Sequence, residues 1–272
     1  MPSEQGTRAP AESPLLRPFV AAPESAAILS DIDGTLAPIV ARPEQAAVSV
    51  QGVGTLRRLS ERFALVGCVS GRQAEDARRL VGPRTLAYAG NHGMELLWPF
   101  ADHAETSPGV ESQRHRAKSF LEGQREEALA AAGLRREDKD TIQALHWRGA
   151  GDEEAAEAGA RQIAAAAEDA GLVVHWGRKV LELRPPVTIG KDTAVEDLLA
   201  AKVEVRHAIY AGDDRTDLDA FEGLRQMRAR GELETAVCVG VLSAEGPPEL
   251  EREADLTVDG PAGWLAILRA LA

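Results

Sequence analysis

Short aliphatic runs recur along this chain, and most alternate with stretches of helical periodicity. Ile28-Leu29-Ser30 precedes a predicted helix over about 51–62, the run 64–70 precedes one over about 73–80, and 85–89 forms a third strand. The same alternation returns late, with helices predicted over 191–201, 217–227 and 264–271 and strands over 208–211, 236–241 and 256–258. Runs without a polar face need cover on both sides, so strands alternating with helices imply a parallel sheet between helical layers. The expected class is α/β, a doubly wound parallel sheet, whose ligands bind beyond the carboxyl ends of the strands. Aromatics make up only 4% of the chain, which suits helices on aliphatic strands better than a sandwich.

Residues 107–186 follow another pattern. A long charged helix is predicted over 111–132, a strand near 142–146 and an alanine-rich acidic helix over 153–170. A hairpin then runs 172–176 and 180–183, turning at Gly177-Arg178. Two helices and three strands, edged by Pro108 and Pro185-Pro186, describe an inserted α+β domain. Residues 1–23, rich in Pro, Ser, Ala and Glu, read as a flexible tail. The expected organisation is therefore a core of 24–106 and 187–272, with 107–186 as a cap over the carboxyl ends of its strands.

A formal charge of −12 repels nucleic acid and anionic lipid, so neither is an expected partner. The same field repels an anionic substrate, which a site can bind only by concentrating positive charge or a metal ion. Cys68 and Cys238 each sit inside an apolar run and read as buried thiols. The opening residues are polar and no apolar run approaches membrane-span length, so a cytoplasmic monomer is expected.

The chemistry concentrates at strand ends. Asp31-Ile32-Asp33-Gly34-Thr35 follows the first strand, and two carboxylates two residues apart there can face one site. Their repulsion invites a divalent cation, although an isolated Asp-x-Asp-Gly also serves as a solvated turn. Gly212-Asp213-Asp214-Arg215-Thr216-Asp217 follows another strand. Two acidic groups at one edge of one sheet offer hard oxygen ligands that suit magnesium, while Asp214 or Asp217 alone also fits a helix cap. Ser70-Gly71-Arg72 can be a phosphate site or a helix start. Lys191 opposes the dipole of the helix it opens, which favours a role outside that helix. His146-Trp147-Arg148 can line a site or close a strand, and His175 and Trp176 can simply pack.

In their order, Asp31/Asp33, Ser70, Lys191 and Asp213/Asp214 resemble the four motifs of the haloacid dehalogenase superfamily of phosphatases. The resemblance implies that Asp31 attacks phosphorus, Asp33 is general acid and base, and Ser70 and Lys191 hold phosphoryl oxygens. It further implies that Asp31, the Asp33 main-chain carbonyl, Asp213 and Asp214 bind Mg2+.

More closely, the chain is similar to the trehalose-6-phosphate phosphatases. The resemblance rests on Ser30 to Ile39, Ser70-Gly71-Arg72, Gly90-Asn91-His92-Gly93 and Gly212 to Asp217, with Lys179-Val180-Leu181-Glu182-Leu183-Arg184-Pro185 as the sugar-reading stretch. Thr35, Gly71, Arg72, Asn91, His92, Lys179 and Glu182 are thereby expected at the substrate, a small sugar phosphate. Leu218 and Asp192 depart from the family's usual Glu and Gly, outside the phosphoryl-holding set. Competing expectations are a phosphatase for sucrose 6-phosphate or a glycosyl-glycerate phosphate, and a non-catalytic sugar-phosphate sensor.

Overall fold

The computed structural model describes residues 13–40, 42, 45–106, 108–113, 115–187, 189–244 and 246–272. It divides into two compact units, Met1–Glu105 with Ile189–Ala272, and Thr106–Thr188. Its strands are β1 Ala26–Ser30, β2 Leu65–Val69, β3 Ala87–Gly90, β4 Glu95–Leu97, β5 Glu105–Thr106, β6 Arg135–Lys139, β7 Ile142–His146, β8 Val173–Gly177, β9 Val180–Arg184, β10 His207–Gly212, β11 Thr235–Leu242 and β12 Leu256–Asp259. The larger sheet has the order β12-β11-β10-β1-β2-β3-β4-β5 and the smaller one β6-β7-β9-β8.

In the larger sheet β1 lies parallel between β10 and β2, and β11, β12 and β3 continue the parallel set; β4 runs antiparallel to β3. Both faces of β1 are buried, as its unbroken apolar run requires. Successive side chains divide between two cores. Ile28, Ile209, Ala211, Val237 and Val239 join Leu56, Leu59, Trp264 and Ile267 on one face. Leu29, Ala208, Tyr210 and Cys238 join Val195, Leu198, Phe221 and Leu224 on the other. Each face is thus closed by helices, Val50–Ser60 and Gly260–Leu271 against one, Lys191–Ala200 and Asp217–Ala229 against the other. Cys68 and Cys238 are buried, and burial pushes both thiols up, which leaves them protonated and unreactive.

The expected flexible tail reaches too far. Residues 1–12 lie outside the described part, but Pro14–Leu16, Arg17–Ala21 and Pro23–Ser25 form consecutive helical turns, each with proline in its opening. Leu16 and Phe19, three apart and so on one helical side, are buried in the first core, and the Phe19 ring meets His207 edge-on at 6.3 Å. Burying a phenylalanine contributes roughly 1.5–3 kcal/mol, enough to hold a segment whose composition alone looks loose.

In the smaller unit, β6 and β7 form a hairpin through Asp140-Thr141, with Asp140 at φ 63°. β6, Arg-Arg-Glu-Asp-Lys, has no apolar alternation and is not legible as a strand; its pairing with β7 makes it one. The expected 111–132 helix is instead the short helices Pro108–Glu111, Arg116–Glu122 and Glu126–Ala131, with Arg114 outside the described residues. Its sequence is charged on nearly every side, so little apolar surface anchors a continuous rod, and Gly123 ends the middle piece. The β8–β9 turn falls at Arg178-Lys179, one residue later than expected, because Lys179 adopts φ 61° and Gly177 pairs with Val180. Ala156, Ala160, Ala164 and Ala167 of helix Glu153–Asp169 pack with Leu145, Trp147, Leu181 and Leu183 on one sheet face. By alternation the opposite face carries Glu137, Lys139, His146, Glu182 and Arg184.

Candidate active site

β1, β2 and β10 run parallel, so Asp31, Ser70 and Asp213, which follow them, reach one sheet edge. Asp31 is anchored by its amide to the Ala211 carbonyl (2.8 Å), and Trp264 Nε1 donates to Ser30 Oγ just before it (3.0 Å). Gly34 holds φ 95°, and a Cβ there would lie 2.0 Å from Asp213 Oδ2. The turn can therefore close over Asp213 only with glycine at this position. Thr35 is fully buried and donates its hydroxyl to Asp213 Oδ1 at 2.9 Å. Its hydroxyl thereby orients a carboxylate.

Lys191, 3% exposed, joins the site from the start of its helix. Its Nζ donates to Asp31 Oδ1 at 2.9 Å and to Asp217 Oδ1 at 2.6 Å. Burial works against its charge, but the Asp217 and Asp31 carboxylates more than offset this and hold the ammonium pKa above its usual value. A lysine facing two carboxylates explains why a cation opens this helix against its dipole.

Asp31, Asp213 and Asp217 bring one oxygen each within 4.8 Å of the others, and all three residues are buried. Asp214, expected beside Asp213 as a ligand, is exposed and lies outside this group. Asp217, read as part of the acidic cluster or as a helix cap but not assigned as a ligand, takes the inner place because it lies one helical turn after Asp213. Its carboxylate accepts from the Asp213 and Asp214 amides (3.0 and 2.9 Å), from Tyr210 Oη (2.6 Å) and from Lys191. The pattern Asp-x-x-x-Asp was visible in the sequence. Tyr210 gave no such signal, being one more apolar-looking residue in a buried strand.

Burial, partly offset by Lys191 and reinforced by Asp217 and Asp213, holds the Asp31 carboxyl well above the usual carboxylate range. Asp213 is pushed up to about 7, by burial first and then by Asp217. With all three ionised, the carboxylates facing one ammonium leave two negative charges to balance, the charge of one divalent cation, and hard oxygen donors are what magnesium selects. The residues fit that ion.

The remaining expected residues divide. Asp33 is half-buried and pairs with Arg72 in a two-pronged bridge, Nε to Oδ2 and Nη2 to Oδ1, both 2.7 Å. Ser70 is buried, and its Oγ accepts from the Arg72 amide at 3.2 Å. Asn91 and His92 form a left-handed turn with φ of 48° and 58°, and His92 Nε2 lies 2.8 Å from where a Cβ on Gly71 would stand. Two successive non-glycine residues in that region store strain of order 1–3 kcal/mol each, a recurrent sign of a functional turn.

In the smaller unit Glu182 and Lys179 are not brought together. Glu182 is buried and accepts from Lys139 Nζ (2.9 Å) and from Arg184 Nη2 and Nε (2.6 and 3.1 Å). Lys179 is exposed and pairs with Glu153. His146 meets Glu137 at 2.6 Å, and that contact holds the Glu137 carboxyl below its usual range. Lys139 carried no sequence signal because it falls in no recognisable motif, and Arg184, although inside the stretch Lys179 to Pro185, had no role assigned to it.

The trehalose-phosphatase family pattern matches residues 29–261. The chain is 33% identical to trehalose 6-phosphate phosphatase RA3 of Zea mays over 94% of its own length and 72% of that protein's. It is 34% identical to the trehalose-phosphate phosphatase of Mycolicibacterium paratuberculosis over 73% of its length, spanning about half (51%) of that relative. The solved C-terminal domain of a trehalose-6-phosphate phosphatase from C. albicans superposes with a TM-score of 0.73 at 20% identity, covering 95% of this chain and 96% of that one, a likeness of fold. Among the described residues no helix is long and apolar enough to cross a membrane.

Proposed function

We propose that this chain, which belongs to the trehalose-phosphatase family, hydrolyses trehalose 6-phosphate to trehalose and phosphate through a phosphorylated Asp31. It is a phosphatase, a phosphoric monoester hydrolase. The observation that carries the proposed mechanism is the buried Lys191 ammonium bridging Asp31 and Asp217 beside Asp213. It offsets part of what burial holds against the charged form of the nucleophile and places a positive charge where an acidic protein must accept a phosphate.

An Asp31 oxygen attacks phosphorus in line with the ester oxygen, whose bond to phosphorus breaks as Asp33 delivers a proton to it. Water then attacks the acyl phosphate, Asp33 takes its proton, and phosphate leaves with Asp31 restored. Arg72 occupies both Asp33 oxygens, so the acid becomes available only as that bridge opens. Lys191 and the Ser70 hydroxyl hold phosphoryl oxygens. Asp31, Asp213 and the Asp33 carbonyl would hold Mg2+, which when bound offsets charge on the phosphoryl group.

Phosphate release from trehalose 6-phosphate, sucrose 6-phosphate, a glycosyl-glycerate phosphate and glucose 6-phosphate tests the reading. The expected result is a kcat/KM highest for trehalose 6-phosphate, and a higher value on another sugar phosphate overturns the substrate.

The metal assignment has a readout apart from activity. Asp213 has its carboxyl pushed up to about 7 from an ordinary 3.8, so the folded, metal-free protein binds its proton more tightly than the unfolded chain does. The associated stability is complete below the unfolded value and is lost as pH rises through about 7. Mg2+ binds the ionised form. Its effect on the melting midpoint should be several degrees near pH 8 and at most about one degree near pH 5. An equal shift at both pH values counts against carboxylate ligation at this site.

A further inference from the structure

We infer that Glu95, in β4, is a positioning residue for this reaction: its buried carboxylate clamps the Asn91–Gly93 turn to the start of helix Ala74–Val81. The inference rests on the phosphatase reading above. Glu95 Oε1 accepts from Asn91 Nδ2 at 2.6 Å, and Oε2 accepts from the Ala74 amide at 3.0 Å. Gln73, at the N-cap of that helix, makes no side-chain capping bond. A carboxylate from another strand therefore serves the first helical amide, twenty-one residues away in sequence.

The clamp joins two loops that both matter. One is Ser70-Gly71-Arg72, which holds the phosphoryl-facing hydroxyl and the arginine paired with Asp33. The other carries His92. Their backbones are already laced together, the Asn91 amide donating to the Arg72 carbonyl at 2.7 Å and the His92 amide to the Ser70 carbonyl at 2.9 Å. Neither bond fixes the Asn91 side chain or the helix that follows Arg72. Glu95 supplies both constraints with one carboxylate, and it does so at a turn whose residues 91, 92 and 93 all have positive φ. Left to itself a strained turn relaxes, and His92 would move from Gly71. The phosphate-binding loop and His92 thus form one platform, with Glu95 as its keystone on the side away from the chemistry.

The test is Glu95→Gln, which keeps size and shape but presents an amino group to one of two donors. Turnover of p-nitrophenyl phosphate is measured per folded molecule, well below the melting midpoint, together with exchange rates of the Ala74 and Asn91 amides. The expected result is a fall in kcat of about tenfold to a hundredfold, the scale of small misplacements in a site, with KM changed by less than about threefold. Exchange at Ala74 should quicken at least tenfold while amides of β10 keep wild-type rates. A purely structural role would lower the midpoint and leave kcat per folded molecule unchanged, which overturns the inference, as does unchanged exchange at Ala74. If the wild-type enzyme releases no phosphate from any ester, the phosphatase reading fails, and the exchange data still decide whether the clamp exists. Should Glu95→Gln not fold, Glu95→Asp, which keeps the charge but shortens its reach, is held to the same kcat and exchange criteria.

Discussion

Asp31→Asn is expected to lower turnover by at least about three orders of magnitude, or roughly 4 kcal/mol of barrier, while leaving the fold intact. The amide matches the carboxylate in shape and can still accept from Lys191, but it is a poor nucleophile toward phosphorus. The surroundings of Asp31 add a second half to this result. Burial and the nearby Asp217 and Asp213 disfavour its charge, so the native site carries like charges at close range that Lys191 relieves only in part. Removing one of three carboxylates reduces that repulsion. The melting midpoint of the metal-free variant should therefore equal or exceed that of wild type, as at other sites where function is held against stability. Residual activity within tenfold of wild type, in a sample checked for contaminating phosphatase, would sink the covalent mechanism. A variant that is inactive and also markedly destabilised would mean that Asp31 has a structural role instead.

The larger sheet and its reactive edge were legible because hydrophobic runs report burial directly. A strand covered on both faces has no polar positions, and Ile28-Leu29 and Ile209-Tyr210 do fall on opposite cores as alternation requires. The acidic clusters were legible because they sit where such strands end. What sequence did not yield was the division of labour inside them. Asp214 and Asp217 are equally plausible by type, and only the helical turn between Asp213 and Asp217 buries the second and exposes the first. The hydrogen bonds of Thr35 and Glu95 were not legible for a related reason: each meets another side chain of the fold, and the partner lies 178 residues away for Thr35. In the smaller unit the local signal itself is weak. β6 is a strand only because of its neighbour, and its Asp138 accepts from Lys118 (2.9 Å) and Gln143 (2.5 Å) rather than filling a core.

Glu182→Ala is expected to separate sugar recognition from chemistry. If Glu182 meets sugar hydroxyls, its loss leaves buried polar partners unpaired, and kcat/KM for trehalose 6-phosphate should fall by about two to three orders of magnitude. p-Nitrophenyl phosphate has no such hydroxyls and depends on Asp31, Asp33 and Lys191, so its turnover should change by less than about tenfold. The structure sharpens the competing account. Glu182 already satisfies Lys139 and Arg184 within its own sheet, and deleting it leaves two cations facing each other in a poorly solvated place. If neutralising that pair is all Glu182 does, the variant should melt earlier, and kcat/KM per folded molecule should stay near wild type for both substrates. A large and equal loss on both would instead mean damage that reaches the reactive edge. Lys179 provides an internal comparison, because its bridge to Glu153 is exposed and such pairs contribute about 1 kcal/mol or less. Lys179→Ala should therefore leave the midpoint almost unchanged, so any selective loss it shows on the sugar phosphate reports recognition. Selective loss in both variants, with p-nitrophenyl phosphate turnover preserved, is the outcome that places sugar reading in the β9 segment and its turn.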